Sequence, residues 1–259
     1  MNKIIIRPTR SAGYLKKCFS VLKEFFRRVL PITKKELYSY FVSPVAYIVI
    51  TVFLVISGYF FTMILLYGQQ AELRGVIHNM SITLLFVGPI ITMKLLAEEK
   101  KIGTIELLTT SPVSLTHIII GKYLASLVLL LIITCITFEY PLFLLLYGKP
   151  DIGPMISAYL GFILLGSAFL SVGLFASSLT ENQIVATVVG FGMLLMLWII
   201  GWLGGFVGGW LGRVISSLSI FEHFDSFTRG VIDMADILYY ISISFSFIFL
   251  TIRRSGYPR

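Results

Sequence analysis

Charged side chains are what this chain has least of. Asp, Glu, Lys and Arg supply 13% of its 259 residues, against 57% hydrophobic. A soluble domain is roughly a quarter charged and under half apolar, so these charges cannot cover a water-facing surface, and a soluble globule is excluded. Cysteine is almost missing. Cys18 and Cys135 are the only two; neither has metal-ligand spacing, and no structural disulfide is expected. His78, His117 and His223 are equally sparse and far apart, with no H-E-x-x-H or Ser-His arrangement among them. There is no G-x-x-x-x-G-K-S/T phosphate loop, and Gly121-Lys122 and Gly148-Lys149 lack its context. Catalytic residues, cofactors and metals are therefore all expected to be none. No repeated halves mark a secondary transporter. The first 30 residues also lack the uninterrupted apolar core of a cleavable signal, so the first span is expected to do the targeting.

Long uncharged runs are what the chain has instead. About 20 apolar residues cross a hydrocarbon core of roughly 30 Å, and six such spans are expected, at about 45–67, 77–97, 123–147, 155–178, 183–204 and 235–252. The expected fold is an all-α membrane protein of six transmembrane helices, with a short cytoplasmic helix between spans two and three and re-entrant outer helices between spans five and six. Residues 31–254 form this domain. Residues 1–30 precede it as a basic amphipathic cytoplasmic segment, and 255–259 follow as a cytoplasmic tail.

The net charge of +8 would suggest nucleic acid in a soluble protein. Its distribution says otherwise. Both termini and the loops on their side sum to +11, the opposite loops to −2, and Glu139 inside a span supplies −1. The positive-inside rule then places both termini in the cytoplasm of a cell whose inner membrane holds the chain. The bilayer is the partner of this charge, and nucleic acid is not.

Within residues 14–30, Leu15, Phe19, Leu22, Phe26 and Val29 recur at helical spacing between lysines and arginines. An interfacial helix on anionic lipid and a partly disordered basic arm are both open readings. Pro31 is expected to end this segment before a second short helix at 33–40.

The longest cytoplasmic connection runs from Glu98 through Glu99, Lys100, Lys101, Ile102, Gly103, Thr104, Ile105, Glu106, Leu107 and Leu108 to Pro112. Gly103 breaks the continuation of span two, Thr104 can cap a new start, and Pro112 stops it. Acids, bases and leucines alternate without a clean basic face, which suits docking of a cytoplasmic partner better than resting on lipid. Glu139 lies towards the outer end of span three, two residues before Pro141; it is either a gate or pathway residue or an acid that reaches outer water. Six glycines from Gly201 to Gly212 form two small-xxx-small rows for helix packing. The outer segment after them adds Glu222, Asp225 and Arg229 as further gate or pathway candidates.

The stretch Glu98 to Leu108, with Ser111-Pro112-Val113 and Gly121-Lys122 after it, resembles the E-E-K/R-x-x-G-T-x-E-x-L signature of ABC-2-type permeases. Lys35-Glu36-Leu37, Phe41 to Tyr47, Ser178 to Gln183 and Phe224 to Asp233 are similar to the branch of gliding-motility-associated and nitrous-oxide-reductase-maturation permeases. The resemblance implies a permease subunit of an ATP-binding-cassette exporter, a second permease copy or homologue, and separate nucleotide-binding ATPase subunits. It further implies that Glu98, Glu99, Lys100, Lys101, Gly103, Thr104, Ile105, Glu106, Leu107 and Leu108 form the ATPase-coupling segment. A membrane scaffold driven by an ATPase without transport, and a stand-alone secondary transporter, are the competing readings.

Overall fold

A computed structural model describes residues 10–68, 72–103, 114–148, 150–207 and 209–256, with backbone alone at 10–22, 68, 204, 205 and 215. No strand occurs among them, and six helices or helix pairs are long and apolar enough to cross a membrane: Pro44–Tyr67, Arg74–Ile102, Leu115–Tyr147, Ile152–Leu179, Gln183–Leu203 and Met234–Ser255. These match the six expected spans. Successive spans alternate in direction, so one end of the bundle gathers the basic segments and the other the α8–α11 connection.

Helix α1 (Arg10–Val42) precedes the first span and runs straight through Pro31, where the sequence suggested a stop. Pro31 cannot donate to the carbonyl of Arg27, and Arg27 is an exposed residue of the helix. Packing supplies the rest. Thr33 Oγ1 donates 3.2 Å bonds to the carbonyls of Val29 and of Gly121, the latter on α5 (Leu115–Ile136). Ile32 presses against Gly121 so closely that a Cβ there would sit 2.8 Å from Ile32 Cγ2.

Helix α2 (Pro44–Gly68) begins with proline in its first turn, where the missing N–H costs nothing. The second span is α3 (Arg74–Thr92) continued by α4 (Lys94–Ile102), with a break at Met93. The third is α5 followed by α6 (Glu139–Tyr147). The α5–α6 break has a local cause: Pro141 cannot donate to Thr137 four residues back, and the Tyr159 hydroxyl donates to that carbonyl instead, at 2.8 Å.

Helix α7 (Ile152–Leu179) lies at the centre, against α3, α5, α8 (Gln183–Val207), α10 (Ile220–Thr228) and α11 (Met234–Ser255). Its start is capped by Asp151, which accepts from the Gly153 N–H. Its many small residues let neighbours approach closely. A Cβ at Gly166 would collide with Leu130, and one at Gly173 with Thr92. Between α8 and α11 lie α9 (Gly209–Ser216) and α10. The glycine run ends in two helices: α8 stops at Val207 and α9 opens on Gly209 with φ of 64°. Gly201 receives Ser219, the residue capping α10. Gly204, Gly205 and Gly208 carry no described side-chain environment, so the two rows are not visible as one face.

Candidate functional site

At the basic end, α1, α4 and α5 converge on one lysine. Lys122 on α5 is 2% exposed, and its Nζ lies 3.0 Å from Glu36 Oε1 on α1 and 2.7 Å from Glu99 Oε1 on α4. A buried ammonium is tolerable only when paired, so the three helices are held to one another by charge. Tyr40, one turn beyond Glu36, donates to the Ile91 carbonyl at 2.7 Å. Burial, reinforced by the Glu36 charge, pushes its hydroxyl well above the ordinary tyrosine range.

The α3–α4 break is repaired from outside. Ser177 Oγ of α7 accepts from the backbone N–H of Leu96 (3.1 Å) and Ala97 (3.0 Å) and donates to the Met93 carbonyl (2.9 Å). It caps α4 from another span. Lys94 donates to Ser43 Oγ at 3.2 Å, and Lys100 donates to the Ser178 carbonyl. Helix α4 then ends at Gly103, whose φ of 76° is left-handed and whose N–H returns to the Glu99 and Lys100 carbonyls. Lys100 and Lys101 in the last turn suit the negative end of the helix dipole.

The sequence-named coupling residues therefore divide. Glu99 and Lys100 face inward and fasten α4. Glu98 lines a cavity of about 950 Å³ between α1 and α4, bordered also by Glu36, Tyr38, Lys94 and Ile102. Lys101 and Gly103 are exposed. Thr104, Ile105, Glu106, Leu107 and Leu108 lie outside the described residues. Sequence reasoning missed Lys122 as a partner of Glu36 and Glu99. Its signal was a lysine directly preceding a span, read only as motif context.

The gate or pathway candidates stand at the opposite end. Asp225 on α10 accepts from Arg74 at 3.0 Å and from Arg229 at 2.5 Å. Burial alone would raise this carboxyl, but the two arginines, by hydrogen bonds and charge, outweigh it and hold it below the ordinary aspartate range. Glu222 is exposed and makes no ion pair among the described residues. Glu139, exposed in the first turn of α6, has no hydrogen bond or ion pair to this group among the described residues; Arg229 pairs with Asp225 directly and Arg74 joins it from α3. Nearby, His223 bonds Asp236 (2.6 Å) and the Ser217 carbonyl (2.9 Å), tying α10 to α11. No group of three or more His, Cys, Asp or Glu that could hold a metal occurs among the described residues.

Among known families, the sequence model described as "ABC-2 family transporter protein" matches residues 30–236. That span begins where the basic arm ends and takes in both the α1–α4–α5 junction and helices α9 and α10. The match reaches the family and not the branch that the motifs resemble. No curated protein matches the chain.

Proposed function

The chain belongs to the ABC-2 family of transporter proteins, a multi-pass membrane component of ABC transport, and on that premise we propose that it is the permease subunit of an ATP-driven exporter. It sits in the cytoplasmic membrane with both termini inside, beside a second permease copy or homologue. A separate nucleotide-binding ATPase docks on the segment Glu98 to Leu108 and drives substrate across.

One observation supports this reading above the others. The two chain ends bounding the connection 104–113, the end of α4 and the start of α5, are fastened to each other and to α1 through Lys122, Glu99 and Glu36. A push on that connection is passed to two spans and to α1 together. Coupling requires such a lever, because packed elements move as bodies and not as soft loops.

The test is co-purification with the candidate ATPase and stimulation of its turnover. Glu99 is unsuitable for charge reversal because its loss breaks the junction, so Glu98→Lys with Glu106→Lys is the informative pair. Loss of ATPase capture or of stimulation at unchanged thermal stability is expected. Full binding and stimulation in the double variant overturns the coupling assignment.

A further inference from the structure

A small cleft opens at the far end between α8 and α10, separate from the junction that carries the proposed coupling. Trp198, Trp202 and Phe221 form its apolar walls, Ser219 and Gly201 its floor, and Glu222 and Asp225 its acidic side. Trp198 stacks on Phe221 at 4.9 Å between centroids with 25° between planes, and Trp202 follows at 6.3 Å from Trp198. The volume is about 240 Å³, below the roughly 300–1,000 Å³ of drug-sized sites, so it suits a small headgroup and not a bulky molecule.

The two acids are not equivalent. Both Asp225 oxygens are taken by Arg74 and Arg229, and Thr228 Oγ1 adds a 3.3 Å contact. Glu222 has no such partner among the described residues. Its Oε1 reaches over Gly201, where a Cβ would come within 3.7 Å of it. With Asp225 held by two arginines, Glu222 is the one carboxylate lining the cleft that makes no ion pair among the described residues, and it stands beside the indole and phenyl rings. Aromatic faces attract cations through their quadrupole, and most strongly organic cations that shed water readily.

We propose that this cleft binds the ammonium group of an organic monocation, with Glu222 as counter-ion and Trp198, Trp202 and Phe221 as the aromatic cage. The ammonium can belong to a lipid headgroup or to a free amine. The cleft provides its own reporter, because two of the chain's three tryptophans line it.

The experiment titrates choline into the full chain in nanodiscs, following tryptophan fluorescence in a Trp210→Phe background. Discs of phosphatidylglycerol alone are compared with discs containing phosphatidylethanolamine, and 3,3-dimethyl-1-butanol serves as the uncharged isostere of choline. A saturable response to choline and none to the alcohol is expected, weakened about tenfold in Glu222→Gln and severalfold in Trp202→Leu. Saturation confined to discs without phosphatidylethanolamine assigns the site to a lipid ammonium, and saturation in both assigns it to a free amine. No saturation in either disc, an equal response to the alcohol, or unchanged affinity in both variants overturns the proposal. Thermal melting of each variant in the same discs separates loss of the site from loss of the fold.

Discussion

Spans two, three and four are enclosed by their own chain, while spans one, five and six are mostly bare. In the most apolar window of each, 72%, 61% and 72% of the first group is buried, against 17%, 22% and 17% of the second. Hydropathy does not separate them: the bare Pro44–Tyr67 averages 2.5 and the enclosed Arg74–Ile102 only 1.8. Lipid tails are as apolar as leucine, so hydrophobicity gives a helix no reason to prefer protein to lipid. What distinguishes the enclosed group is small residues that permit close approach, such as Gly166 and Gly173, and polar groups that find partners on another span, such as Lys122, Ser177 and Tyr159. The bare group packs on its neighbours but makes few side-chain hydrogen bonds to other spans among the described residues. The Ser57 hydroxyl, 2.8 Å from that of Tyr140, makes one.

The strongest way to break this contrast is at its most buried charge. Lys122→Ala leaves Glu36 and Glu99 without their ammonium and is expected to cost about 3–5 kcal/mol, read as loss of the monodisperse species on heating in detergent. The triple change Lys122→Met, Glu36→Gln, Glu99→Gln should recover most of that loss. If the single variant melts like wild type, the junction does not brace the helices.

Next in size is overpacking. Gly173→Val drives methyls into Thr92 and is expected to lower stability by about 1–3 kcal/mol. Gly192→Val on bare α8, where an added Cβ meets nothing within 4 Å, should cost far less. Equal melting of the two would erase the distinction between enclosed and bare spans. Tyr140→Phe, which removes only the hydroxyl facing Ser57, is expected to cost about 1 kcal/mol, measurable as a modest shift in melting temperature.

The smallest effect concerns Asp225. Its folded-state pKa is depressed, so its contribution is complete above the unfolded value of about 3.9 and fades as pH falls through the folded value. Because the pair is solvent-screened, the shift should be slight, confined to strongly acidic pH, and absent in Asp225→Asn. A loss of stability on raising the pH from 5 to 8 that Asp225→Asn abolishes would contradict this sign.

Much of the fold was legible because crossing a bilayer demands a length and a composition that a sequence displays directly. All six spans were readable from uncharged runs, and the Gly103 stop from one residue. The continuity of α1 was not. Pro31 is a sound local stop signal, overridden by Ile32 and Thr33 packing on Gly121, a contact between residues some ninety positions apart. The candidate site was legible only as a segment of sequence: the signature named Glu98 to Leu108, yet it could not tell that Glu99 and Lys100 turn inward while Glu98 borders a cavity. At the far end, composition drew attention to Glu222, Asp225 and Arg229, but nothing local could show that Arg74 completes the Asp225 group or that two tryptophans flank Glu222.

The sequence alone therefore determined that the chain lies in a membrane and which of its runs are long and apolar enough to cross one, because desolvating backbone and charge is a cost each segment meets by itself. It also carried the family, through a pattern that matches over residues 30–236. Tertiary structure decided which spans are enclosed, which acids are neutralised and which stay available. Those outcomes depend on distances between side chains remote in sequence, and the hydropathy of a span, which does not follow its enclosure, leaves no local trace of them.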